Sequence, residues 1–106
     1  MELCEFEDDK GRSPFKVWFK ALDVIAAARI QRVLTRLELG NTSNVKGVGG
    51  GVFELRIDFG PGYRVYFGKD GSEIVILLGG GTKKRQDRDI NTAQANWQSY
   101  KSRKKT

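Results

Sequence analysis

The sequence contains no histidine among its 106 residues. This absence removes the commonest general acid and base, every Ser-His or Cys-His nucleophile pair and nearly all zinc sites. The single cysteine, Cys4, cannot form an internal disulfide, which is typical of a protein of the reducing cytoplasm. No carboxylate cluster has the spacing of metal ligands, so we expect neither a metal nor another cofactor.

Long hydrophobic segments are absent as well. The apolar run Ile74–Leu78 spans five residues and none is longer, whereas a membrane-spanning helix needs about 20. The first residues are acidic (Glu2, Glu5, Glu7) rather than basic, so no signal segment and no membrane partner are predicted. The length suffices for one modest core, and no linker divides the chain. We therefore expect a single domain over residues 1–106.

The positive charge is confined to one end of the chain. Residues 1–82 carry 11 Lys or Arg and 11 Asp or Glu, so the whole net charge of +6 lies in residues 83–106. Such a segment suits a polyanion or an acidic protein partner. Residues 101–106 are better explained as a solvated basic tail. Residues 83–88 follow directly on a core strand and should be held in place.

Two helices are predicted near the start of the chain. Ser13 and Pro14 are typical of a helix cap and a first helical position, and Asp23 can cap a second helix that runs to about Leu39. Apolar side chains recur at i, i+3, i+4 and i+7 in both segments: Phe15, Trp18, Phe19 and Leu22, then Ile30, Val33, Leu34 and Leu37. Gly40 supplies the stop, and the two helices form an antiparallel hairpin.

The second helix also carries an arginine stripe on the side opposite its apolar face. Arg29, Arg32 and Arg36 form this stripe. It could meet nucleic acid or a partner, but a solvated helix face is the default interpretation.

From Val52 the hydrophobic period changes to two, which indicates strands. Three antiparallel strands are predicted, over 52–59, Tyr63–Phe67 and Ile74–Leu78, with a weaker strand at Met1–Phe6. Residues 41–51 are interpreted as a polar, glycine-rich connector. A polar final segment of about residues 84–100 is moderately helical. The predicted order is strand, helix, helix, three strands, helix, which is an α+β chain.

The turn Gly60–Gly62 sets the register of the central hairpin if it is a simple three-residue loop. Asp58 would then face Arg64, and Arg56 would face Tyr66, on one polar face of the sheet. The arginines could hold a phosphate, and a lysine or phenol could exchange protons with an RNA 2′-hydroxyl or its leaving oxygen. The alternative is an exposed Asp58–Arg64 ion pair with no function.

The chain resembles the RelE/ParE superfamily of toxins from bacterial toxin–antitoxin pairs. It is most similar to the phage-derived, HigB-like branch known as addiction module killer proteins. The resemblance runs from about residue 3 to residue 98, and three stretches carry most of it: residues 15–19, 54–67 and 77–83. It implies a small antiparallel sheet with the N-terminal helical hairpin packed on it. It also implies a DNA-binding antitoxin that forms a hetero-oligomer with the toxin.

Many members of this superfamily enter the ribosome and cut mRNA there, so the resemblance implies a ribosome-dependent endoribonuclease with ribosome and mRNA as partners. Arg64 matches the arginine of the family's Gly-Tyr-Arg strand. Arg56 falls where the family often has a basic residue on the preceding strand. The resulting site prediction has two sets of residues. The catalytic set is Arg64, Lys84 and Arg56, and the RNA-binding set is Lys83, Arg85, Arg88 and Tyr66.

The sequence departs from the family at two places. Glu54 stands where some active members have lysine, and Gln86, Asp87 and Arg88 stand where several members have a tyrosine or histidine for proton transfer. Two other functions therefore stay open. One is a toxin that poisons DNA gyrase by binding, and the other is an inactive relic that only binds an antitoxin.

Overall fold

The computed structural model describes residues 1–104 and contains one five-stranded sheet in the order β1-β5-β4-β3-β2. The α+β class predicted from the sequence is confirmed. The elements in chain order are β1 (Glu2–Glu5), α1 (Pro14–Lys20), α2 (Val24–Glu38), β2 (Val45–Gly49), β3 (Val52–Ile57), β4 (Tyr63–Asp70), β5 (Ile74–Thr82), a 3-10 turn (Lys83–Arg85) and α3 (Gln86–Lys104). Within residues 1–104, no helix has the length and apolar character needed to cross a bilayer.

The N-terminal helical hairpin begins and ends where the sequence predicts. The Ser13 hydroxyl accepts a hydrogen bond from the Lys16 backbone N–H at 3.0 Å, and the Asp23 carboxylate accepts one from Ala26 at 2.8 Å. Each cap satisfies an N–H that has no partner within its own helix. The apolar faces of α1 and α2 pack against one face of the sheet, including Leu55, Val65 and Phe67.

The sheet is antiparallel except at one edge. β1 pairs in parallel with β5, so that Glu2 lies opposite Ile74 and Glu5 opposite Leu77. The opposite edge is β2, which pairs antiparallel with β3 and contains a bulge between Gly47 and Gly49. β2 lies inside the predicted connector 41–51. The connector prediction was wrong there because β2 contains two glycines, Gly47 and Gly49, and because Val45 and Val48 stand three positions apart and show no period of two.

The predicted register of the β3–β4 hairpin was wrong by two residues. Arg56 lies opposite Arg64 and Glu54 opposite Tyr66, rather than Asp58 opposite Arg64. The loop is longer than three residues because the backbone N–H of Gly62 donates to the carbonyl of Phe59 at 3.1 Å, which closes a turn outside the ladder. A shift of two preserves the faces, so Arg56 and Arg64 still project to the same side of the sheet.

Helix α3 covers the second face of the sheet. A separate core forms there from Val52, Tyr66, Ile76, Leu78 and side chains of α3, chiefly Trp97. Glycine makes this close packing possible, because a Cβ on Gly68 would lie 2.5 Å from Cε3 of Trp97. On the opposite face a Cβ on Gly80 would overlap the ring of Trp18 in the same way. β5 is thus covered on both sides, as its apolar run predicted.

The last turn of α3 is tied to the β4–β5 hairpin. The Tyr100 hydroxyl donates a hydrogen bond to Asp70 at 2.5 Å, and the Lys104 ammonium pairs with the same carboxylate. Arg103 Nη1 donates to the carbonyl of Glu7 at 2.8 Å. Residues 101–104 of the predicted basic tail are therefore helical, while the rest of that prediction lies outside the described residues.

Because of this contact, the free energy of unfolding should change with pH in the alkaline range. The hydrogen bond to Asp70, together with burial, raises the pKa of Tyr100 to about 12, against about 10 for an unfolded tyrosine. The folded state then holds the proton more tightly, so the stabilisation is complete below pH 10 and is lost between pH 10 and 12. We expect the stability difference between wild type and Tyr100→Phe to narrow over that range, as measured by urea unfolding. A pH-independent difference would contradict this assignment.

Candidate nucleic-acid interface

The two sheet arginines of the predicted catalytic set lie directly opposite each other on β3 and β4. Arg56 is exposed and its Nε lies 3.4 Å from Asp58. Arg64 is buried, with 7% of its surface accessible, and its Nη1 donates to the carbonyl of Gly62 at 2.9 Å. The structure therefore brings these two cations together, but in different environments.

Glu54 is the carboxylate that organises this part of the sheet. It is 1% exposed, and one of its oxygens, Oε2, accepts a hydrogen bond from Nε2 of Gln86 at 2.8 Å and lies 3.6 Å from Nε of Arg64. Its other oxygen lies 3.9 Å from the ammonium of Lys46. A buried carboxylate needs such partners, because desolvation strongly penalises an isolated charge. Sequence reasoning missed this role, although strand alternation places Glu54, Arg56 and Arg64 on one face.

A cavity of about 150 Å³ opens beside this cluster. Its lining includes Lys46, Glu54, Arg56 and Arg64, together with Asn44 from the segment that enters β2. Arg64 forms its contacts through Nη1 and Nε, and Nη2 makes no hydrogen bond to another residue of 1–104. The guanidinium is thus held by a hydrogen bond at Nη1 and by the nearby charge of Glu54 at Nε, and its third nitrogen, Nη2, retains donor N–H groups for an anion.

Tyr66 does not fit the predicted RNA contact. Its ring is 1% exposed in the core beneath α3, and its hydroxyl is buried without a hydrogen-bond partner among the described residues. Burial is the main cause that raises the pKa of the Tyr66 hydroxyl, and the nearby charge of Glu54 raises it further. Tyr66 is therefore a core residue. The sequence prediction failed because it left this face of the β3–β4 hairpin open, whereas α3 covers it.

The basic residues after β5 form a second, shallower cavity of about 440 Å³. Lys83, Lys84, Arg85 and Arg88 line it together with Gln86 and Asp87. Lys84, Arg85 and Arg88 are exposed. The backbone N–H of Lys83 donates to the carbonyl of Gly62 at 2.9 Å, which ties this segment to the loop before Arg64. Gln86 reaches Glu54, so the two cavities are adjacent.

A third cavity, of about 250 Å³, lies between α2 and the end of β3. Arg29, Arg32 and Arg36 line it, and it shares Asn44 and Arg56 with the cavity beside Arg64. The arginine stripe predicted on α2 is therefore next to the sheet arginines. Over residues 1–104, no group of three or more His, Cys, Asp or Glu side chains is placed to hold a metal ion.

The fold and these basic cavities are consistent with a small RelE-like protein, in which a sheet carries a helical hairpin on one side and a C-terminal helix on the other. The model of the phage-derived Gp49-like family (DUF891) matches residues 17–103. The chain belongs to this family, which lies within the RelE/HigB-like toxin superfamily. It is also 46% identical, over 81 residues, to an uncharacterized protein of Haemophilus influenzae (strain ATCC 51907 / DSM 11121 / KW20 / Rd). The match covers 76% of this chain and 82% of that protein.

Family membership indicates the toxin of a toxin–antitoxin pair and, with it, a protein antitoxin as partner. The superfamily part of the resemblance noted in the sequence is thereby confirmed.

Proposed function

We propose that this protein is a type II toxin that stops translation by cutting mRNA on the ribosome. One observation carries the proposal. Arg64 is fixed by Glu54 and Gly62 at the side of a cavity, with a donor group left over and exposed cations of two further elements next to it. A prepositioned guanidinium of this kind stabilises charge that develops on a phosphate during reaction.

The chemistry assigns a role to each basic residue. The 2′-oxygen attacks phosphorus, the bond from phosphorus to the 5′-oxygen breaks, and a 2′,3′-cyclic phosphate and a 5′-hydroxyl are formed. Arg64 holds the phosphate, and Arg56 contacts the backbone beside it. The ammonium of Lys84 donates a proton to the leaving 5′-oxygen, while the 2′-hydroxyl proton passes to water. Lys83, Arg85 and Arg88 bind the flanking RNA.

The ribosome would supply what the isolated chain lacks. No histidine is present and Tyr66 is buried, so the exposed side chains offer Lys84 as the proton donor but no strong base. Holding the mRNA in a reactive geometry can contribute several kcal/mol to such a reaction without any further catalytic group. Dependence on the ribosome is therefore part of the proposal.

Primer extension on a reporter mRNA in a reconstituted translation reaction tests it. We expect cuts with ribosomes and none without them. Lys84→Ala should slow cleavage by about 10²-fold or more. Lys20→Ala, which removes an exposed lysine of α1 away from the cavities, should leave the rate unchanged. Cuts in naked mRNA, or equal effects of the two substitutions, would overturn the assignment.

The burial of Tyr66 and the ion pair on Arg64 also favour a second candidate, a toxin that inhibits DNA gyrase by binding. The basic cavities would then be a binding surface without chemistry. Growth arrest in cells with no mRNA cuts, together with inhibition of DNA supercoiling by purified gyrase, would establish this function instead.

A further inference from the structure

The arginine stripe of α2 places three like charges close together without a carboxylate partner in the described part of the chain. Arg29, Arg32 and Arg36 lie at i, i+3 and i+7 on one face, so each has a like charge as its helix neighbour. Like charges at these spacings destabilise a helix. None of the three forms an ion pair with a carboxylate of residues 1–104.

The groove beside the stripe is shaped and partly ordered. Its lining includes Arg56 from the end of β3 and Asp58 and Phe59 from the loop that follows, and the guanidinium of Arg29 lies 4.7 Å from the centre of the Phe59 ring. Asp58 is the carboxylate in this lining, and it is placed at 3.4 Å from Arg56 rather than against the stripe. Three guanidinium groups therefore face this groove without neutralisation.

We propose that this groove binds the phosphate backbone of a structured RNA, as an anchoring site separate from the one at Arg64. Successive arginines of the stripe are separated by about 4.5 Å and then about 6 Å along the helix axis, so they form a line of charge about 10 Å long. Guanidinium groups bind phosphates through two parallel hydrogen bonds. A line of such groups fits a polymer with regularly repeated charge.

Continuity with the cavity beside Arg64 and the burial of the apolar lining favour RNA over an acidic peptide, because Ile57 is buried and Val33 is half-buried. The groove meets the cavity beside Arg64 at Asn44 and Arg56, so one RNA assembly can occupy both. A peptide ligand needs pockets for buried apolar side chains. Here the aromatic side chain, Phe59, is already covered by Arg29. The inference rests on the proposed function for its choice of RNA, but it concerns binding and not cleavage.

The test measures binding of a fluorescein-labelled 16-base-pair RNA duplex by anisotropy, in the absence of ribosomes and across 50–300 mM NaCl. The variant is Arg29→Gln/Arg32→Gln/Arg36→Gln. The matched control is Lys10→Gln/Lys16→Gln/Lys20→Gln, which removes the same net charge from exposed positions outside the groove. Thermal unfolding of both variants checks that they are folded. In the arginine variant, the relief of like-charge repulsion should offset the lost contact between Arg29 and Phe59.

We expect the arginine variant to bind the duplex at least about tenfold more weakly at 100 mM NaCl. The slope of log K against log salt should become shallower by about 2 to 3, one unit for each lost phosphate contact. The control should change binding by less than about threefold. Equal losses in both variants would mean that net charge alone binds RNA, and would overturn the site.

Two further outcomes separate this proposal from the proposed function. Normal duplex binding by the arginine variant, combined with lost binding of a polyglutamate probe, would overturn the proposal and identify the groove as a site for an acidic protein. Failure of mRNA cleavage with the expected loss of duplex binding would remove the nuclease function and leave the anchoring site established.

Discussion

Replacing Arg64 with alanine should reduce ribosome-dependent mRNA cleavage by about 10²- to 10³-fold, the usual effect of deleting one preorganised donor to a developing anion. The same substitution should also destabilise the protein. It leaves Glu54 buried with only Gln86 and the more distant Lys46 as partners. Loss of one member of a buried ion pair costs about 3–5 kcal/mol. Because Glu54 keeps two partners, we expect a loss at the lower end of this range, about 3 kcal/mol in the free energy of unfolding.

A double variant separates the two effects. In Arg64→Ala/Glu54→Gln the stranded carboxylate is replaced by a neutral amide of the same shape, which can still accept a hydrogen bond from Gln86. We expect urea unfolding to show that most of the lost stability returns, while primer extension shows no return of cleavage. Full toxicity of a folded Arg64→Ala variant would show that the site at Arg64 is wrongly assigned.

Replacing Trp97 with alanine should have the largest effect on stability, about 3–5 kcal/mol in the free energy of unfolding. The Trp97 ring is 6% exposed, lies against Gly68 of β4 and stacks on Tyr100 at 5.2 Å between ring centres. Its removal opens a large cavity between α3 and the sheet. Because small domains are stable by only about 5–15 kcal/mol, a substantial part of the total would be lost.

The contact with Gly68 provides an internal check. Gly68→Ala alone places a methyl group into the Trp97 ring and should cost about 1–3 kcal/mol or more. In the double variant Gly68→Ala/Trp97→Ala the new methyl group enters the space that the ring has left. The double variant should therefore lose less unfolding free energy than the two single variants lose together. Gln98→Ala, on the exposed side of α3, is the control. Strict additivity would show that Trp97 does not dock against Gly68.

Local patterns were sufficient for much of the fold. The caps at Ser13 and Asp23 and the alternation that begins at Val52 each depend on neighbouring residues, and each is found where the sequence predicts it. The register of the β3–β4 hairpin is different in kind. It depends on how Phe59 and Gly62 close the loop, and loops of three and five residues preserve the same alternation of faces.

The candidate site could be predicted only in part. Arg56 and Arg64 share a face by strand alternation alone. The burial of Glu54 depends on Gln86, which lies 32 residues away in the chain, and no local signal shows that a glutamate in a strand is covered. Tyr66 was mistaken for a surface residue for a related reason. The low amphipathicity of residues 86–104 conceals that α3 packs across the second face of the sheet.

The parallel pairing of β1 with β5 has a consequence for how the chain becomes active during its own synthesis. β1 is the first strand to leave the ribosome, but the strand that it pairs with is made after all the others. β5 also supplies Val75 and Leu77 to the core under the helical hairpin. A nascent chain that stops before Ile74 therefore cannot close either the sheet or that core. Interrupted translation of this toxin should yield harmless fragments, and only chains that extend past β5 can harm the cell.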